Sequence, residues 1–215
     1  MIRNLWLMAL LALALPAYSQ STILVLGDSL SAAYGIDEQE GWVHLLKQHI
    51  AQEQGQYRVI NASISGETTA GGLSRLPQLL EHSEADILVL ALGANDGLRG
   101  LSLKQMRQNL AEMIQLAQDS GSRVLLVGMQ LPPNYGKVYS RLFFQSFEEL
   151  AKEYKVAYLP FLLEGIGEHK GLFQADGLHP SATVQSDIMG NVWRALDTVL
   201  NQQTVQHEMK AVTVP

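Results

Sequence analysis

The sequence predicts a doubly wound α/β fold with a five-stranded parallel sheet. Two observations predict it. Five short apolar runs alternate with longer segments of helical periodicity. The runs are also apolar at consecutive positions, as in Ile23-Leu24-Val25-Leu26. Strands of that kind have both faces covered by helices, which is the condition of a parallel sheet.

The elements follow in order. Strands are expected at Thr22 to Gly27, Tyr57 to Ala62, Ile87 to Leu92, Val124 to Met129 and Val156 to Leu159. Helices are expected at Trp42 to Gln54, at Thr69 to His82, from a capping box of Ser102 and Gln105 onward, at Tyr139 to Tyr154, and from Ser181 to Leu200. Met106, Leu110, Met113, Ile114 and Ala117 share one stripe, as do Val184, Ile188, Val192, Ala195 and Val199. No internal repeat or linker interrupts the pattern, so residues 20–201 read as one domain and 202–215 as a loosely held tail.

The N-terminus reads as a signal peptide spanning 1–19. Arg3 supplies the positive start, Leu5 to Leu15 the apolar run, Pro16 its end, and Ala17-Tyr18-Ser19 the small residues before the cut. The alternative is a retained anchor, but a spanning helix needs roughly 20 apolar residues. Cleavage after Ser19 implies a periplasmic or secreted protein with no stable membrane anchor.

Composition narrows the function. Apolar residues make up 47%, enough for a full core. A formal charge of −6 argues against a nucleic-acid partner, which calls for a basic surface. The absence of cysteine excludes disulfides, thiolate metal sites and a cysteine nucleophile. A monomer is the default.

Four short motifs carry candidate chemistry. Gly27-Asp28-Ser29-Leu30 follows the first strand, where a serine hydroxyl would project beyond the carboxyl ends of the strands. Alone, it reads equally as a helix cap. It is not the Gly-x-Ser-x-Gly elbow, because Ser31 stands two residues after Ser29. Asp176-Gly177-Leu178-His179-Pro180 precedes the last helix. A serine hydroxyl needs a base, and a histidine held by a carboxylate is the usual one; a plain turn before a helix is the alternative. Gly93-Ala94-Asn95-Asp96 follows the third strand, and the Asn95 amide could donate to an oxyanion, or belong to an Asn-Asp-Gly turn. Ser65-Gly66-Glu67 follows the second, and Gly66, lacking a side chain, would let a substrate oxygen approach its N–H. In a sheet ordered 2-1-3-4-5 the motifs that follow strands one, two and three, holding Ser29, Gly66 and Asn95, would meet at one crevice, the switch point between strands one and three.

With these motifs assembled, the sequence resembles the SGNH, or GDSL, hydrolase family over nearly the whole chain after the leader. Ser29, Gly66, Asn95 and His179 match the four residues that name the family, with Asp176 as the acid partner. The resemblance implies a flavodoxin-like three-layer α/β/α sandwich and a serine hydrolase acting on acyl esters or thioesters. Ser29, Asp176 and His179 would then be catalytic, and Ser29, Gly66 and Asn95 would form the oxyanion hole. Asp96 would brace its loop, and no metal or organic cofactor would be needed. Residues 65–72 and 131–136 also look like those of periplasmic acyl-thioesterase, arylesterase and lysophospholipase enzymes.

The apolar loop residues Leu131, Pro132, Pro133, Tyr135, Phe161, Leu162, Leu163 and Ile166 read either as acyl-site lining or as core beneath the loops. Leu131, Pro132 and Tyr135 are the substrate-binding candidates. His44, His49, His82, His169 and His207 show no ligand spacing and read as ordinary surface or helix residues. Two other functions fit parts of the pattern: a carbohydrate acetylesterase using the same site, and a non-catalytic flavodoxin-like binding protein. The second would need a phosphate loop after strand one, and Asp28 would repel phosphate.

Overall fold

The computed structural model describes residues 20–53 and 55–212, with the backbone alone described for 202–212. Five strands form one parallel sheet: β1 (Ser21–Gly27), β2 (Tyr57–Asn61), β3 (Ile87–Ala91), β4 (Arg123–Val127) and β5 (Ala157–Leu159). Their order is β2-β1-β3-β4-β5. Between them run α1 (Trp42–Glu53), α2 (Thr69–Ser83), α3 (Ala94–Leu98), α4 (Leu103–Asp119), α5 (Lys137–Tyr154) and α6 (Gln185–Val212).

Side-chain alternation along the strands divides the core in two. Ile23, Val25, Ile87, Val89, Leu125 and Val127 face α1 and α6, where they meet Trp42, Leu46, Ile188 and Val192. Leu24, Leu26, Leu88, Leu90, Val124 and Leu126 face α2, α4 and α5, where they meet Leu76, Met106, Leu110, Met113, Phe143 and Phe147. The consecutive apolar runs in the sequence are thus the two buried faces of one sheet, and the fold is the three-layer α/β/α sandwich.

Several boundaries differ from expectation. Strand β4 stops at Val127, because Gly128 turns to donate its N–H to Leu159 O and lies so close to Pro160 O that a Cβ would sit 2.3 Å from it. Asn95-Asp96-Gly97 winds into α3 instead of a simple turn, since Gly97 leaves room for the Phe143 ring and Leu131. The last helix begins at Gln185, after a 3-10 turn at Ala182–Val184, and its backbone continues to Val212. On its buried stripe Leu196 takes the fully buried place expected of Ala195. Helix α5 begins two residues early, at Lys137. Gln54 and the 1–19 segment lie outside the described residues.

Candidate active site

The topology brings the carboxyl ends of β2, β1 and β3 side by side. The loops leaving them carry Gly66, Ser29 and Asn95, and the crevice predicted from the switch point is a cavity of about 330 Å³. Its walls include Asp28, Ser29, Leu30, Gly66, Asn95 and His179.

Ser29 stands in a tight turn directly after β1. Ser31 N and Ala32 N both donate to Asp28 O, at 3.1 and 3.0 Å. The turn folds back on Gly27, where a Cβ would lie 2.5 Å from Ser31 Oγ, so only glycine permits it. Among the described residues, the N–H groups of Ser29 and Gly66 are bonded to no protein acceptor. Gly66 has φ of 78°, a left-handed conformation that favours glycine.

His179 closes the cavity from the other side of the chain. Its Nε2 lies 2.9 Å from Ser29 Oγ, and its Nδ1 lies 2.6 Å from Asp176 Oδ2. With Nδ1–H given to the carboxylate, Nε2 is left to accept the serine proton. Asp176 Oδ1 takes two further donors, the N–H groups of Leu178 (2.9 Å) and His179 (3.0 Å). The His179 backbone N–H and then its ring N–H, with help from the Leu178 N–H, hold the Asp176 carboxyl down to about 2. Tyr34 packs its ring against the imidazole, with centroids 4.5 Å apart. Gln174 binds this corner together: its N–H donates to His179 O and its amide to Tyr34 O and Pro180 O.

Asn95 is held at both ends of its amide. Nδ2 donates to Asp28 Oδ2 at 3.3 Å, and Oδ1 accepts from Arg99 Nη2 at 3.5 Å. Arg99 Nη2 also donates to Gly66 O at 2.9 Å, which ties the Gly66 and Asn95 loops together. One hydrogen of Nδ2 remains for another acceptor. Asp28 is only 2% exposed, and that burial pushes its carboxyl up to about 6, against the hydrogen bond from Leu30 N–H and the nearby His179. Asp96 braces its loop: both its oxygens accept from Thr69, N–H at 2.9 Å and Oγ1 at 2.6 Å.

Five of the sequence-predicted residues therefore meet: Ser29, Gly66, Asn95, Asp176 and His179. The loop candidates lie elsewhere. Leu131 is 9% exposed in the core, Pro132 is on the surface, and Tyr135 is half-buried with its hydroxyl on Leu98 O. None of the three lines the cavity; Leu162, Leu163 and Ile166 are buried in the core. The apolar walls are instead Leu30, Tyr34, Ala94, Leu98, Met129 and Leu178. Sequence reasoning missed these and Arg99. Only Leu30, Ala94 and Leu178, inside three of the motifs, carried any signal.

The arrangement is a hydroxyl, an imidazole and a carboxylate in line beside free N–H donors. The comparison with known families matches residues 25–185 to the GDSL-like lipase/acylhydrolase family. The chain belongs to that family. The match contains the entire hydrogen-bonded line from Ser29 to Asp176. The esterase TesA of Pseudomonas aeruginosa is 49% identical over 193 residues, 90% of this chain and 96% of that protein. The thioesterase 1/protease 1/lysophospholipase L1 of Escherichia coli is 36% identical over 195 residues, 91% of this chain and 92% of its own. Among solved structures, the esterase EstA of a Pseudoalteromonas species, inhibited by monoethylphosphonate, superposes with a TM-score of 0.80 at 41% identity. That superposition covers 84% of this chain and 99% of EstA. As a member of the GDSL-like family the chain is an enzyme, and its sheet order and layers are those of the family fold.

Proposed function

We propose that this enzyme hydrolyses carboxylic esters and thioesters of acyl substrates through an acyl-enzyme on Ser29. The observation that carries the reading is the line of two hydrogen bonds, Ser29 Oγ to His179 Nε2 at 2.9 Å and His179 Nδ1 to Asp176 Oδ2 at 2.6 Å. Ester hydrolysis agrees with the family and with relatives described as an esterase, an arylesterase and a thioesterase/lysophospholipase.

The steps follow from the geometry. His179 Nε2 takes the hydroxyl proton as Ser29 Oγ attacks the acyl carbon. The carbonyl π electrons move to oxygen, and that oxyanion rests on the N–H groups of Ser29 and Gly66 and on the remaining Asn95 Nδ2 hydrogen. The imidazolium, steadied by ionised Asp176, gives its proton to the leaving alkoxide or thiolate. Water then attacks the acyl-enzyme, losing its proton to His179, and the proton returns to Ser29 Oγ as the acid leaves. Every step is a proton or acyl transfer among these residues, substrate and water.

The acyl group lies against Leu30, Leu98 and Met129 in the cavity. Tyr135 acts from behind that wall through the hydrogen bond from its Oη to Leu98 O (3.1 Å), and Leu131 supports the same helix, α3, by packing at Gly97. The enzyme works as a monomer of one domain, 20–201, exported to the periplasm or medium after loss of 1–19. The leader-like charge, apolar run and small residues support that reading. Among the described residues no helix is long and apolar enough to cross a membrane.

The test is p-nitrophenol release from acetyl to long-chain p-nitrophenyl esters, beside Ser29→Ala. Turnover abolished by the substitution is expected. A folded wild type inactive on every chain length would overturn the reading, and activity on acetyl esters alone would point to an acetylesterase.

A further inference from the structure

The exposed large apolar side chains of the described residues are Tyr34, Ile64, Leu101, Val138, Leu142 and Leu178. Tyr34, Ile64, Leu101 and Leu178 lie in loops that follow the carboxyl ends of strands, the end of the sheet where the cavity opens, and Val138 and Leu142 lie in the first two turns of α5, which follows β4. Tyr34 and Leu178 belong to the cavity wall. Leu101, Val138 and Leu142 form a separate patch beyond Leu98. Tyr139 Oη donates to Leu101 O (3.2 Å) and Gly97 O (3.4 Å), which fixes the start of α5 against the loop after α3. Val138 and Leu142, 62% and 48% exposed, are one helical turn apart on α5.

The charge around this patch opposes that of the chain. The formal charge is −6, yet residues 97–111 and 128–147 contain no Asp or Glu. They contain Arg99, Lys104, Arg107, Lys137 and Arg141. Arg107 is paired with Glu149 and Glu153, and Arg99 holds the Gly66 loop. Lys104, Lys137 and Arg141 are exposed, and no carboxylate among the described residues pairs with them. Exposed apolar residues interleaved with unpaired cations are the composition of a surface that lies on anionic lipid. A second copy of this chain would bring like charges together.

We propose that this face docks on an anionic phospholipid surface. Val138, Leu142 and Leu101 enter the acyl boundary, and Lys104, Lys137 and Arg141 meet the headgroup phosphates. Docking turns the cavity mouth towards the lipid, where long-chain acyl substrates reside. The proposal stands apart from the catalytic reading, because binding is measured without turnover.

The test is co-sedimentation of the protein with phosphatidylglycerol or phosphatidylcholine vesicles at low and high salt, for wild type, Val138→Asp/Leu142→Asp and Lys137→Glu/Arg141→Glu. Wild type should bind phosphatidylglycerol at least about tenfold more tightly than phosphatidylcholine, and salt should weaken it. Each double variant should lose about tenfold or more, since every basic residue near an anionic surface is worth roughly fivefold in affinity. Turnover of soluble p-nitrophenyl acetate should be unchanged in both and reports an intact fold. If Val138→Asp/Leu142→Asp loses turnover, the charge variant alone decides. Absent binding, equal binding to both lipids, or variants that bind like wild type (as they would if 1–19 made the contact) would overturn the proposal. So would a wild-type dimer that the apolar variant dissolves, which would assign the patch to a second copy.

Discussion

Asn95 Nδ2 donates to Asp28 Oδ2 at 3.3 Å, joining the loop after β3 to the turn after β1. The carboxylate of the nucleophile motif thus orients the amide proposed for the oxyanion. Asp28 is a positioning residue in this account, and its burial costs stability. Its carboxyl is raised from the ordinary 3.8 to about 6, so the folded state binds the proton more tightly than the unfolded chain. Stability from this group is fully present below pH 3.8 and is lost as pH rises to about 6.

Asp28→Asn removes that buried charge. Relative to wild type, the variant's unfolding free energy should improve by about 2 kcal/mol between pH 4 and pH 7. Its activity should fall about tenfold or more, in kcat rather than KM, because an amide facing Asn95 no longer offers a carboxylate acceptor. Denaturant melts at both pH values, beside kcat, check this. A pH-independent stability difference would show that Asp28 is not held in a raised state.

Asn95→Ala should lower kcat by about 10²–10³ with KM little changed, the loss typical of one oxyanion donor. Arg99→Met should cost less, because it loosens Gly66 and Asn95 without deleting a donor. A rise in KM with kcat unchanged for Asn95→Ala would place the amide in ground-state binding instead.

Asp176 is held down to about 2 by the N–H groups it accepts. It should stay ionised through the working acid range, so the acid limb of the rate profile should not report its titration. Its folded carboxyl is depressed, so its stabilisation is present above pH 3.8 and lost as pH falls towards 2. Asp176→Asn should lower kcat by about 10²–10⁴, since the imidazole loses the partner that fixes its tautomer. Steady-state kinetics from pH 5 to 9 would check the two rate statements, and acid unfolding followed from pH 5 to 2 the stability statement.

Leu98→Ala and Met129→Ala should enlarge the roughly 330 Å³ cavity and move the p-nitrophenyl ester optimum to longer chains. Tyr135→Phe should produce a smaller shift in the same assay, because it only releases Leu98 O. An unchanged profile in Tyr135→Phe with a changed one in Leu98→Ala would confine chain selection to the inner wall.

The fold was legible in the sequence because its strands are buried on both faces. Runs such as Ile23 to Leu26 and Ile87 to Leu90, set between helical segments, suit a covered sheet, and they fill both of its faces. The five site residues were legible for a different reason. Their chemistry needs particular residue types at strand ends, and Asp176 and His179 are three residues apart. What stayed hidden depends on tertiary contact. Arg99 reaches Gly66 across 33 residues, and Tyr34 meets the His179 ring from the far end of the chain. Leu131 and Tyr135 looked like lining because an apolar loop residue has the same composition whether it faces a cavity or supports its wall. Only packing against Gly97 and Leu98 separates the two cases.

The central claim is that Ser29 forms the covalent intermediate. The most direct measurement is reaction with a p-nitrophenyl alkylphosphonate, followed by intact mass and peptide mapping. One phosphonyl group per chain is expected, on the peptide holding Ser29, with p-nitrophenol released in equal amount and esterase activity lost in step. Labelling at another residue, or equal labelling and inactivation of Ser29→Ala, would contradict it.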